Sequence, residues 1–424
     1  MSRYLISVIE QALWSALNLG VNLLLIRVCA PSDYGAFAFW SNLGYVLSSL
    51  QNALTVCHLQ ALVPGDGLSV GRLEVERLMH GVTGVFLAGL AALTLVSALL
   101  LHAVDSEFGT LAAALFIPAF LLQQYIRALA FSRGGPATAA IQTGMVLAVA
   151  VVLLGAAVLI RKPLRANDVL VCMGSAYGAV GVVGAVRALR GQGMSRLRPR
   201  ELRAYLAYAA QSSWIFLGVT TTEVLARVYA FIAAGWFGAG ALATLSATQQ
   251  LLRPVPLLAS SWSMVAKVDL ARRREAGDWR GFAWFVIAAL VGGVAIAAAW
   301  TGLIHLVWGQ ISQHLFAGKY GKDDWMVLLW GLSAALGFSQ VVVSAALQVL
   351  RAFKLLALAN AAASAVAVVA VLAIAKIYGV GGAVLGTAAG QAFELAAMAW
   401  VLMVVLARAR RGSAAGQPRE GGQR

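Results

Sequence analysis

The sequence predicts an all-α integral membrane protein: twelve transmembrane helices in two six-helix bundles related by a parallel pseudo-two-fold repeat. Three observations lead there. Hydrophobic residues make up 61% of the 424-residue chain and charged residues 12%, against roughly 25% charged in a typical soluble protein. Successive apolar stretches each reach the length of about 20 residues that spans a hydrocarbon core. A polar stripe on the first stretch, Ser15, Asn18 and Asn22, returns 205 residues later on the seventh as Thr220, Glu223 and Arg227.

The stretches run Leu5–Cys29, Ala36–Leu62, Met79–Leu101, Leu111–Phe131, Ala139–Ile160 and Val169–Ala188 in the first half. The second half holds Tyr205–Phe237, Gly240–Ala266, Phe282–Val307, Trp325–Leu350, Leu356–Tyr378 and Val380–Leu406. The short gaps leave no room for a soluble catalytic domain, so a transporter is expected and not an enzyme. The basic run Arg187–Arg203 divides the halves: residues 1–190 form one bundle, 191–204 a basic linker, 205–407 the second bundle and 408–424 a disordered tail. The shift that superposes the stripes also places Gly35 on Gly240 and Ser41 on Ser246. Six spans per half make both halves enter from the same side, which is what a parallel repeat requires. Pro254 and Pro256 fall inside the eighth span and should bend it, since each removes a backbone donor.

The net charge of +15 first suggests nucleic acid, but its placement argues otherwise. With both termini in the cytoplasm, most Lys and Arg fall in cytoplasmic segments: Arg187–Arg203, Arg272–Arg280 and Arg408–Arg411. That is the positive-inside pattern, with anionic membrane lipids as the partners of these runs. Arg161, Lys162 and Arg165 form the one basic cluster expected outside. Cys29, Cys57 and Cys172 show no disulfide or metal spacing. His58, His305 and His314 show none either, and no Gly-rich, Lys-ending nucleotide loop occurs. Neither metal nor cofactor is expected.

Polar groups persist at membrane depth mainly where they face a cavity or a partner. Gln11, Ser15, Asn18 and Asn22 follow an i, i+4, i+7, i+11 pattern that keeps them on one helix face. Ser48, Asn52 and Thr55 extend a similar seam along the second span, and Gln123, Gln124 and Arg127 lie in the fourth. Such neutral donors and acceptors suit sugars; interhelical bonding is the competing reading. Arg27, Arg227 and Arg253 are the intramembrane arginines suited to a diphosphate, because the guanidinium donates two parallel hydrogen bonds. Glu223, four residues before Arg227, stands as its ion-pair partner or as a proton carrier, and Gln249 and Gln250 flank Arg253. Trp14, Trp214 and Trp262 read as packing or interfacial anchors.

The segment RVCAPSDYGAF, Arg27–Phe37, resembles the first external turn of the polysaccharide exporters that flip lipid-linked oligosaccharides, in the multidrug, oligosaccharidyl-lipid and polysaccharide (MOP) flippase superfamily. LFAGKY, Leu315–Tyr320, and YGVGGAVLGT, Tyr378–Thr387, are similar to that family's segments before span ten and between the last two spans. The resemblance implies a bacterial inner-membrane flippase for polyprenyl-diphosphate-linked oligosaccharide, working by alternating access in O-antigen, capsule or exopolysaccharide assembly, with polysaccharide assembly proteins as further partners. A multidrug or metabolite exporter of the same superfamily is the nearest alternative. An integral-membrane glycosyltransferase or polymerase is a more distant one.

Overall fold

The computed structural model describes residues 3–60, 70–104, 106–161, 163–190 and 199–415. These form helices α1 (Arg3–Val28) and α2 (Pro31–Gln51), the latter continued by a π-helical turn (Asn52–Val56) and the short α3 (Cys57–Gln60). Then come α4 (Val70–Ala103), α5 (Ala113–Ser132), α6 (Pro136–Ile160) and α7 (Ala166–Leu189). The second half holds α8 (Pro199–Gln250), α9 (Pro254–Glu275), α10 (Trp279–Leu306), the single turn α11 (Trp308–Gln310), α12 (Asp324–Val349) and α13 (Phe353–Ala415). Among the described residues the only strand-type pairing is an isolated bridge between Cys29 and Leu164.

Nine of these helices are long and apolar enough to cross a membrane. Two of the nine are double. Gly238 breaks α8 at φ +80°, and Gly379 breaks α13 at φ +64°, in the left-handed region that glycine enters without steric cost. The breaks fall where spans seven and eight, and eleven and twelve, were expected to part. With α2, whose Asn42, Ser48, Ser49 and Gln51 lower its hydropathy, the helices account for the predicted spans. Leu100, Val151, Val152, Trp284, Val291, Val369 and Trp400 all point outward. Apolar surface on helix after helix is what lipid solvates, and the chain is a multi-pass membrane protein.

The prolines of the eighth span do more than bend it. The helix stops at Gln250, turns through 251–253 and restarts with Pro254 at its first position, where the missing N–H costs nothing. Trp300 Nε1 donates to the Leu251 carbonyl at 2.8 Å, satisfying one of the groups the interruption frees. The predicted linker 191–204 is helical from Pro199 onward, and the predicted tail is helical as far as Ala415; 191–198 and 416–424 lie outside the described residues, as does Lys162.

The chain divides into two compact units. Unit 1 comprises Met1–Glu223, Ala233–Ala247 and Leu315–Lys319; unit 2 comprises Val224–Ile232, Thr248–His314 and Tyr320–Arg424. The border expected near 205 therefore lies within unit 1, because α8 carries the chain onward without a break at that point. In unit 1, α5 packs chiefly on α7, and α1 on α6. Phe116, Phe120 and Tyr177 stack at its centre, with Phe120 against Tyr177 edge-on at 5.3 Å. In unit 2, α12 packs on both α10 and α13 around Phe282, Phe338, Val342 and Met398.

The segment Arg27–Phe37 holds unit 1 together at the end of α1. Asp33 Oδ1 accepts from the Ala166 amide at 2.8 Å, satisfying a free N–H at the start of α7. Tyr34 donates to Asn22 Oδ1 at 3.0 Å. A Cβ on Gly35 would overlap the Ala239 carbonyl, so only glycine lets α2 meet the restart of α8 after Gly238. Ala239 N–H in turn donates to Glu107 Oε2 at 2.7 Å.

The second motif docks on the first. Lys319 Nζ donates to the carbonyls of Ile26, Arg27 and Cys29 at 3.0, 2.9 and 2.6 Å. It thereby fills the unpaired C-terminal carbonyls of α1 with a cation, where the helix dipole favours one. Burial lowers the Lys319 pKa from the usual lysine value. Ala317 and Tyr320, at φ 55° and 61°, hold the strained turn around it. Lys319→Met is expected to cost about 1.5 kcal/mol, the low end for hydrogen bonds to a charged group, since the ammonium is half exposed. Thermal unfolding of the purified protein measures this, and a variant with an unchanged midpoint would remove the cap from the account.

Candidate functional site

A polar pocket of about 370 Å³ opens in unit 1, lined by Ser48, Ser49, Gln51, Asn52, Gln60, Gln124 and Arg127 together with Val56, Ala128 and Phe131. The α2 side of it is shaped by the π-helical turn Asn52–Val56. A π turn inserts an extra residue into the helical ladder and recurs at functional sites. Thr55, buried, spends its hydroxyl on the Gln51 carbonyl at 3.0 Å and so supports the turn and not the lining.

Arg127 is the charged member of the lining. Its Nε and Nη2 donate to the two carboxylate oxygens of Glu10 at 2.6 and 2.9 Å. Glu10 is 1% exposed and also accepts from Thr143 Oγ1 at 2.8 Å. The remaining guanidinium contacts are long, to Gln11 Oε1 at 3.5 Å and from Nη1 to Gln124 Oε1 at 3.4 Å. The guanidinium carbon lies 5.0 Å from the Trp14 ring centre and 5.8 Å from that of Phe131, within cation–π range. Trp14 thus supports Arg127 and stacks on Phe120 at 6.4 Å, a packing place consistent with its sequence reading.

Three expected site residues gather here. Asn52 lines the pocket, Gln11 reaches it through Arg127, and Glu223 accepts from Ser49 Oγ at 2.6 Å. Thr220, one turn before Glu223, is half-buried with an Oγ1 that has no partner among the described residues. The rest of the α1 stripe divides. Asn18 Oδ1 accepts from Tyr45 at 2.6 Å and Asn22 Oδ1 from Tyr34, so both brace α1 to α2, while Ser15 is half-buried. Arg27 is exposed at the end of α1, and its carbonyl holds Lys319.

The other expected residues lie in unit 2. Gln249 Oε1 accepts from the Tyr229 hydroxyl at 3.0 Å, Tyr229 stacks edge-on against Trp330 at 4.9 Å, and Gln250 is buried with Oε1 unpartnered among the described residues. Arg253 closes the turn before α9, and Arg227 lies half-buried on α8.

Glu223, the acidic residue singled out within a span by the sequence, is not the one carboxylate at such a place. Glu10, Glu76 and Glu394 are buried in α1, α4 and α13. Glu76 is ion-paired to Arg133 at 2.8 Å, and Glu394 accepts from Gln340 Nε2 at 2.6 Å. Glu10 and Glu76 stand near span ends, where linear pattern places them by the interface, whereas Glu394 lies mid-way along Val380–Leu406; a folded partner accompanies the burial of each. Spacing could have found Glu10, which lies one turn before Trp14 on the buried face of α1 that continues through Leu17, Val21 and Leu25.

Among solved structures the chain is similar to an inward-facing multidrug resistance MATE family transporter of the MOP superfamily. The likeness has a TM-score of 0.70 at 11% identity and covers 97% of this chain and 100% of that one. The two share their fold. The fold is matched as well in the lipid II flippase MurJ, inward closed, at TM-score 0.69 and 12% identity over 97% of this chain and 91% of that one. A eukaryotic MATE transporter follows at 0.58 and 14%, with 96% and 97% covered. No family model matches the sequence, and no curated protein matches it. Within this fold, the described lining of the Arg127 pocket belongs wholly to unit 1.

Proposed function

We propose that this chain is a flippase that carries polyprenyl-diphosphate-linked oligosaccharide across the bacterial inner membrane by alternating access, for surface polysaccharide assembly. The chemistry of the pocket lining carries the reading. Among the described residues its polar lining members are amides, hydroxyls and one arginine, and the nearby carboxylates of Glu10 and Glu223 are engaged by Arg127 and by Ser49. A cationic drug calls for an available carboxylate, whereas an oligosaccharide calls for neutral donors and acceptors at membrane depth. The two motif segments that resemble polysaccharide exporters, joined through Lys319, and a fold relative that is itself a lipid flippase support it further. The diphosphate is assigned to Arg227 and Arg253, and the termini to the cytoplasm by the basic runs.

A multidrug exporter is the second reading, and Glu394 favours it: a buried carboxylate whose hydrogen-bond donor is the neutral Gln340 could serve a coupling cation.

Reconstituted in liposomes, the wild-type protein should move a fluorescent polyprenyl-diphosphate oligosaccharide between leaflets. Arg227→Ala and Arg253→Ala should each slow it about tenfold or more, the loss of one charge-assisted hydrogen bond of roughly 1.5–3 kcal/mol. If the wild type moves nothing while an unrelated flippase works in the same vesicles, the cargo is wrong, and small-molecule efflux decides for the second reading.

A further inference from the structure

We infer that the pocket of unit 1 is a subsite for an uncharged sugar ring and not for the phosphates of the cargo. The inference rests on the flippase reading and narrows it.

Charge is the first ground. Among the described lining residues Arg127 alone is charged, Glu10 occupies it in a bidentate pair at 2.6 and 2.9 Å, and a further carboxylate, Glu223, accepts from the lining Ser49 at 2.6 Å. A phosphate entering the pocket would meet an attraction and a repulsion from nearly the same place, and the two largely cancel. A hydroxyl loses nothing by that neutrality. Arg127 still presents Nη1, whose contact with Gln124 is a long 3.4 Å, as a donor polarised by its charge.

Unmet hydrogen-bond capacity is the second. Gln51, 1% exposed, and Gln124 both line the pocket, and the Nε2 of each is buried without a partner among the described residues. Buried donors without acceptors are costly, so such a site favours a ligand that brings acceptor oxygens. Sugar hydroxyls and the carbonyl of an acetamido group bring them without charge.

Shape is the third. A volume of about 370 Å³ falls within the roughly 300–1,000 Å³ of small-ligand sites. Phe131 supplies an apolar wall for the C–H face of a ring. The π-helical turn begins at Asn52, which lines the pocket among hydroxyls and amides on α2.

The test uses the purified full chain in nanodiscs, with N,N′-diacetylchitobiose and maltose as probes and inorganic pyrophosphate as the competitor. Saturation-transfer NMR should show contact with at least one disaccharide. Asn52→Ala and Gln124→Ala should each weaken it about tenfold, the scale of one lost hydrogen bond in a buried site, and excess pyrophosphate should leave it unchanged. Should either variant unfold below the wild-type temperature, Ser48→Tyr, which fills the pocket with added bulk, replaces it and should abolish the signal. Displacement by pyrophosphate, silence from both sugars, or equal binding by the variants would overturn the subsite. Binding needs no movement across the membrane, so a subsite that stands while liposome transport fails, or the reverse, tells the two readings apart.

Discussion

Arg127→Met is expected to destabilise the protein by about 3–5 kcal/mol, the cost of leaving a buried charge without its partner. Glu10 is 1% exposed and sits within a membrane-spanning helix, and methionine would leave it covered without supplying a donor when the guanidinium goes. Thr143 Oγ1 at 2.8 Å remains as a single neutral donor, too little for an ionised carboxylate at that depth. The double variant Glu10→Gln with Arg127→Met should regain most of the loss, because the amide needs fewer partners and Met keeps the bulk under Trp14. Thermal unfolding of the four forms gives the coupling directly as a double-mutant cycle. Single and double variants that unfold at the same temperature would mean the pair is no more than a passive contact. A large coupling would place the pair as the bolt that fixes α1 to α5 and α6, the frame on which the pocket rests.

The membrane architecture was legible in the sequence because its causes are local. Length and apolarity of a run decide whether it spans, and a glycine at φ > 0 decides where a helix reverses; Gly238 and Gly379 lie where those two rules put the turns. The basic run Arg187–Arg203, by contrast, does not coincide with a border between the compact units, since unit 1 continues to Glu223. What helical spacing could not reveal was pairing over distance. Glu10 meets Arg127 and Thr143 from three helices, and Ser49 meets Glu223; no helical period connects such positions. The stripe on α1 was read as one face, but its members have different fates. Asn18 and Asn22 are taken by tyrosines of α2, whereas Gln11 reaches Arg127. The π-helical turn Asn52–Val56 was equally invisible, since Asn-Ala-Leu-Thr-Val carries neither proline nor glycine to announce a change of period.

Gly386→Val should be the most damaging single substitution in unit 2. After Gly379 the chain folds back, and Gly382, Gly386 and Gly390 recur every fourth residue along the returning half of α13. Cβ atoms added at these three glycines would overlap, in order, the Ile374 carbonyl, the Val371 backbone and Ala367. The sequence displays this small-residue spacing openly, and its meaning is physical. Lipid tails are as apolar as leucine, so helices in a bilayer gain little from hydrophobic burial and much from close backbone contact. At Gly386 the obstruction is backbone, which no side-chain rotamer can clear, so the two halves of α13 must separate. A cost of at least about 3 kcal/mol is expected, the upper end for overpacking. Gly155→Ala supplies the contrast: no atom lies within 4 Å of a Cβ added there, and alanine should be neutral or gain up to about 1 kcal/mol from helix propensity. Thermal unfolding of both variants separates close packing from a general intolerance of larger residues. If Gly386→Val melts with the wild type, the returning helix does not lie against Val371, and the stripe has another purpose; if Gly155→Ala falls as far, helix α6 is more crowded than its open glycine implies.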